Sequence, residues 1–241
     1  MLIRCIDFEA TGVPAEESPQ AVCEVGWCDL ISIGDEPWEF GPPTSVLVNP
    51  NRRMPPEASA VHGIVDSDLV GVPAITTGFL KMSQPRPDYW CAFNADFERQ
   101  FFTGGETPWL DPYKAAVRIW PDAPNHQQGT LRFMLGLDRD RALAFPPHRA
   151  GPDSYVLAGL LAHILNEGLC DIETMQRWTM GPALLPRCTV GEHRGKLWSE
   201  VDSGFLKWML SPGKNFDRNV KATVKHELKR RGELPAQSIS H

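Results

Sequence analysis

The 241-residue chain holds 24 Lys+Arg against 30 Asp+Glu, a formal net charge of −6, with 42% hydrophobic and 22% charged residues and no internal repeat or low-complexity tract. That is enough chain to bury a sizeable core, as one large domain or one domain with an appendage, and no run of about 18 apolar residues or basic-then-apolar leader points to a membrane span or secretory signal. The six cysteines, at 5, 23, 28, 91, 170 and 188, form no CxxC pair, which argues against structural zinc or a disulfide framework and fits a reducing cytoplasm.

The opening LIRCIDF is apolar enough for a buried strand over Leu2 to Phe8, and the glycine of ATG ends it. On a strand Asp7 and Glu9, two positions apart, share a face and can share an ion. Strands are expected at Ala21 to Ile33 and Thr44 to Asn49, antiparallel because the connections are short, and at Asp88 to Phe93, parallel because a helix intervenes. Asn94, just after YWCAF, is either a turn residue or one that holds the substrate backbone and orients Glu98. On a helix over Ala95 to Phe102, residues 94 and 98 share a face while 96 points about 200° away, which favours Glu98 as the functional acid and keeps Asp96 as the fallback. Helices follow at Tyr113 to Trp120, Thr130 to Leu137 and Pro152 to Asn166. Proline is tolerated in a first helical turn, so Asp153 falls in that turn and His148 on the preceding loop. DIETMQRWTMGPALLPRC then changes character, suggesting a boundary near residue 170. From Pro186 to His241 there are 11 Lys+Arg against 6 Asp+Glu. Lys221, Lys225 and Lys229 form a helical stripe there, which is an ordinary solvated face or an electrostatic guide for DNA, and the last residues, PAQSISH, should fray.

Carboxylates from three distant segments with a histidine ahead of the last suit a site that holds two divalent ions and hydrolyses a phosphodiester. The phosphate's charge repels an incoming hydroxide, so the site must neutralise it, lower the pKa of a water and stabilise the leaving alkoxide. Mg²⁺ and Mn²⁺ prefer carboxylate oxygen, so acids without cysteine are the expected cradle. His148 is the candidate general base, since imidazole alone has an unperturbed side-chain pKa near neutrality.

The DFEATG, FNADFE and HRAGPD segments, in this order, resemble the three motifs of the DEDDh 3′–5′ exonuclease superfamily, and GEHRGKLWSEVDSGFLKWML resembles the C-terminal segment of the exodeoxyribonuclease X family. The resemblance covers most of the chain. It implies an α/β, ribonuclease H-like mixed sheet covered by helices over residues 1–168, with a small, partly helical, basic appendage over 169–241. It implies hydrolysis of DNA from a 3′ end, releasing nucleoside 5′-monophosphates. Asp7, Glu9, Glu98 and Asp153 would hold two Mg²⁺ ions, replaceable by Mn²⁺, with His148 as base. Phe8, Ala10, Thr11, His62 and Asn94 would contact substrate, His62 from a loop formed by PPEASAVHGI. A single-stranded 3′ end is the expected partner, and a homodimer is common among relatives. The sequence departs from the family at Glu98, where an aspartate is usual, and at Gly151-Pro152. RNA trimming by the same fold and a binding relative with impaired chemistry are the rival readings.

Overall fold

The computed structural model describes residues 1–12, 20–137 and 139–234. The PAQSISH segment lies outside them. Six strands form one mixed sheet: β1 (Leu2–Ala10), β2 (Val22–Ile31), β3 (Glu39–Phe40), β4 (Thr44–Leu47), β5 (Tyr89–Cys91) and β6 (Trp109–Leu110). The order is β3-β2-β1-β5-β6, with β4 also on β2. β2 runs antiparallel to β1, whereas β5 and β6 continue parallel to it. This is the expected mixed α/β sheet, with shorter strands at 22–31 and 89–91 than the sequence suggested.

β1 alternates because both its faces are covered. Ile3 and Cys5 join Leu157, Leu160 and Leu161 in the larger core, while Ile6 and Phe8 join Val25, Met82 and Trp90 in a second core on the other face. The larger core is organised by the 17-residue helix α5 (Ala150–Asn166), which packs on β1 and β2. α5 is apolar nearly all round because α3 (Pro112–Ile119) and α4 (Gln128–Met134) cover what the sheet does not. Asp7 and Glu9 share the side of β1 that bears Ile3 and Cys5, so the strand's period of two aims both acids at the start of α5.

Several expected elements take another form. Residues 95–102 are not a regular helix: the chain turns at 93–97 and makes a single 3₁₀ turn at Glu98–Gln100, mixing three- and four-residue hydrogen bonds. The reason is the start of the segment, where Asn94 takes a left-handed φ of 66°. PPEASAVHGI forms a helix, α1 (Pro56–His62), rather than a loop; proline at its first turn and left-handed Gly63 at its end delimit it. α2 (Ile75–Met82), in ITTGFLKM, covers the second core through Ile75, Phe79 and Met82. α5 begins at Ala150 rather than Pro152, whose missing N–H costs nothing within the first turn.

Beyond α5, α6 (Ile172–Met180) still belongs to the larger core through Met175 and Trp178. A separate small core follows, built from Cys188, Trp198, Val201, α7 (Ser203–Met209) and α8 (Arg218–Arg230). All six cysteines are buried free thiols. Among the described residues no helix is long and apolar enough to cross a membrane.

Candidate active site

The acids of β1 meet the first turn of α5 because nothing separates them. Gly26 lies opposite Asp7 in the β1–β2 register, and a Cβ there would sit 2.1 Å from the carbonyl carbon of Ala150. The helix therefore lies directly on the strand backbone, which a side chain at 26 would prevent. Glu24, opposite Glu9, fixes the same joint. Its carboxylate accepts Arg149 Nε at 2.8 Å, a second Arg149 N–H at 2.9 Å and the Ala150 N–H at 3.1 Å. A bidentate fork of this kind sets orientation as well as distance. One Asp153 carboxylate oxygen then accepts the His148 N–H at 2.9 Å.

As a result, Asp7, Glu9 and Asp153 each offer a carboxylate oxygen, and these lie within 4.8 Å of one another. Glu98 approaches from the 3₁₀ turn, 3% exposed, with Oε2 buried and without a hydrogen-bond donor among the described residues. An orphaned buried acceptor costs about 1–3 kcal/mol, so this oxygen calls for a cation. Asp96 turns the other way, 42% exposed and 3.1 Å from Lys114 Nζ.

Electrostatics report the crowding. Burial and then Glu9, Asp153, Glu98 and Glu24 hold the Asp7 carboxyl well above the usual range. Burial, Asp153 and Glu24 push Glu9 up to about 8 against the opposing Arg149. Asp153 rises to about 6 through burial, restrained by the His148 N–H, His148 and Arg132. Glu98 rises well above its usual range through burial, with Asp111, Glu9 and Asp96 adding to it. Four acids held this way repel one another unless divalent charge is added, and their donor set is all oxygen, as Mg²⁺, Mn²⁺ or Ca²⁺ require. The residues present therefore fit a divalent-metal centre.

The Asn94 turn is held by Asp111, fully buried at the end of β6. Its carboxylate accepts the N–H groups of Asn94 at 3.0 Å and Ala95 at 3.2 Å, and that of Tyr113 at 3.0 Å as the cap of α3. Burial carries Asp111 to about 6, with nearby Lys114 opposing. Sequence reading missed Glu24, Gly26, Asp111 and Arg149. Only Asp111 left a local signal, an aspartate ahead of proline at a helix start. His148 is exposed in a left-handed conformation, φ 58°, and its ring makes no hydrogen bond among the described residues. Asn94 and His148 are two of the three non-glycine residues with positive φ among those described. Such strain gathers at functional sites.

Two clefts meet at Asp7, Asn94, His148 and Asp153, one of about 430 Å³ and one of about 1110 Å³. Ala10, His62 and Val61 line the smaller. His62 accepts the Ile64 N–H on Nδ1, and burial lowers its pKa. Phe8 also borders this cleft, but its ring is 4% exposed and packs on Phe79 at 5.4 Å, leaving a base little face to stack on. Thr11 lines neither cleft: its hydroxyl donates to Gln20 and accepts the Ala21 N–H, tying the end of β1 to the approach to β2.

No family model matches the chain. Exodeoxyribonuclease 10 of Escherichia coli K12 is 29% identical to it over 236 residues, covering 94% of this chain and 99% of its own length. Among solved structures, exonuclease X in complex with 5′-overhanging duplex DNA is 26% identical, with a TM-score of 0.60 over 73% of this chain and 99% of that one. The nuclease domain of 3′hExo, a DEDDh family member bound to rAMP, shares the fold at 18% identity and a TM-score of 0.50, over 69% of this chain and 92% of its own.

Proposed function

This chain belongs to the DEDDh superfamily of 3′–5′ exonucleases and is a DNA exonuclease, and from that premise we propose a two-metal hydrolysis with a histidine base, acting on single-stranded 3′ ends and releasing nucleoside 5′-monophosphates. The observation that carries the reading is the convergence of Asp7, Glu9 and Asp153 oxygens within 4.8 Å; Glu98 lies outside that group of three but lines the same cleft with an unpartnered oxygen. Asp7, Glu9, Glu98 and Asp153 would hold two Mg²⁺ ions, with Mn²⁺ as a substitute. When bound, these supply neutralisation of the phosphate, activation of a water and stabilisation of the leaving oxygen.

The chain's own groups do the rest. Asp153 holds the His148 backbone through its N–H, leaving the imidazole exposed where the clefts meet and able to take the proton of the attacking water. Asn94, held by Asp111, borders the same junction and positions the substrate backbone. The smaller cleft receives the terminal nucleoside against Ala10, Val61 and His62. We divide the chain after α6, where the small C-terminal core begins, rather than at residue 168.

The test is digestion of 3′-labelled and 5′-labelled oligonucleotides with Mg²⁺ or Mn²⁺. Immediate release of the 3′ label as a mononucleotide is the expected result, and no degradation at any concentration of either ion would remove the reading. An unpaired end and a 5′-overhanging duplex, the ligand of the exonuclease X complex, are compared in the same assay to test the single-strand preference. His148→Ala should lower kcat by roughly 10²- to 10⁴-fold with little change in DNA affinity; a loss confined to affinity would make His148 a binding residue.

A further inference from the structure

We propose that the larger cleft holds the unpaired DNA strand upstream of the scissile bond, and that the C-terminal segment beyond α6 builds its far wall. The proposal rests on the exonuclease reading above.

A strand hydrolysed at its end leaves the reacting phosphate in two directions, with one nucleotide on one side and the remaining chain on the other. The two clefts open from the acids in that way, and the one of about 1110 Å³ has room for several nucleotides. Its near wall combines ring faces with cations. Phe133 and Phe145 are 62% and 67% exposed and Arg141 is exposed with them, while Arg132 lines the same wall but is itself buried. Arg132 lies 5.0 Å from the Phe133 ring centroid and donates to the Ala144 carbonyl at 3.0 Å, so the charge is fixed beside the ring. Exposed rings beside an exposed guanidinium, backed by a second buried one, suit an unpaired strand, because every base has a face to stack and every phosphate a charge to neutralise.

The far wall comes from Leu185, Thr189, Asn219 and Val220. Its parts are tied to one another: Asn219 accepts the Ala183 N–H at 2.9 Å, and Thr223 accepts the Leu185 N–H at 2.9 Å. Arg187 reaches back to Asp122, just beyond α3, at 3.0 Å. The acid of this wall, Asp217, accepts the N–H groups of Asn219 and Val220 at the start of α8, which offsets its charge toward a phosphate. The surroundings are thus arranged for a polyanion that continues outward from the acid cluster.

Thr189, exposed on the far wall, allows a test of sign in the full chain carrying Asp7→Asn, so that the strand is bound and not degraded. The readout is the anisotropy-derived Kd of a 5′-fluorescent ten-nucleotide single strand and of a trinucleotide, which fills less of the cleft. Thr189→Glu should weaken ten-nucleotide binding about threefold and Thr189→Lys strengthen it similarly, the scale of one exposed charge interaction, with the trinucleotide moving less than half as much. Arg141→Ala should reduce the slope of log Kd against log salt by about 0.7, the value for one single-strand phosphate contact. Shifts absent, of one sign for both Thr189 variants, or equal for both strands would overturn the proposal. Those shifts without degradation by the unsubstituted chain would instead overturn the exonuclease reading and leave the groove standing.

Discussion

Asp7 is the carboxylate with the most acids around it, and its chemistry follows from that company. Removing its charge relieves repulsion without opening a cavity, so Asp7→Asn should fold, melt at a higher Tm than the unsubstituted chain in chelator, and lose the stabilisation that Mg²⁺ gives the latter. A thermal shift titration reads both effects, and an undiminished Mg²⁺ response would place the ions elsewhere. Its turnover should fall by several orders of magnitude. Glu98 and Asp96 are separated by surroundings, not by charge: one lines the cleft of the acids and has an unpartnered oxygen, the other pairs with Lys114. Glu98→Gln should therefore depress kcat far more than Asp96→Asn, and the reverse ranking would identify Asp96 as the metal-facing acid.

At the scale of elements, the joint between β2 and α5 decides whether the acids meet. Gly26→Ala pushes a methyl into the Ala150 carbonyl, so the helix must lift from the sheet and carry Asp153 with it. We expect a loss of about 1–3 kcal/mol in urea unfolding together with a larger proportional loss of activity; a stable, fully active variant would show that the joint tolerates displacement. This joint also marks where reading the sequence alone stops. Asp7 and Glu9 are legible from the two-residue period of a strand, and Asp153 from a proline-led helix start. The pairing of Glu9 with Glu24 across the sheet, the Arg149 fork and the contact of Gly26 with Ala150 are long-range, and a single sequence carries no signal of register between distant segments. Local pattern failed differently at 95–102, where the facing of Glu98 was inferred from a regular helix that is not there. Its burial comes from the Asp111-held turn. α2 was hidden by Thr76, Thr77 and Gly78, poor helix formers; the glycine is explained by the close packing of the helix on Val25 and Val48, whereas the two threonines are exposed.

Over the whole molecule, a nuclease core and a small second core form opposite walls of one cleft, and the second needs its own support. Glu227, 6% exposed on α8, accepts Arg230 and Arg231, while Arg231 also donates to the Trp198 carbonyl. The arginine hydrogen bonds, opposed by partial burial, lower the Glu227 carboxyl to about 2. A depressed carboxyl contributes stability that is fully present above its ordinary value of 4.5 and is lost as pH falls toward 2. Glu227→Gln should thus destabilise the protein by about 1–3 kcal/mol at pH 7, with the difference from the unsubstituted chain shrinking between pH 5 and pH 3 in urea titrations. A pH-independent difference would mean that the carboxylate's charge is not what holds α8.

The most direct test of the central claim is anomalous diffraction from crystals grown with Mn²⁺ and a nucleoside 5′-monophosphate. The account predicts two peaks about 3.5–4 Å apart among Asp7, Glu9, Glu98 and Asp153, with the phosphate against them and His148 on its open side. Peaks at other residues, or none at these acids at saturating Mn²⁺, would contradict it.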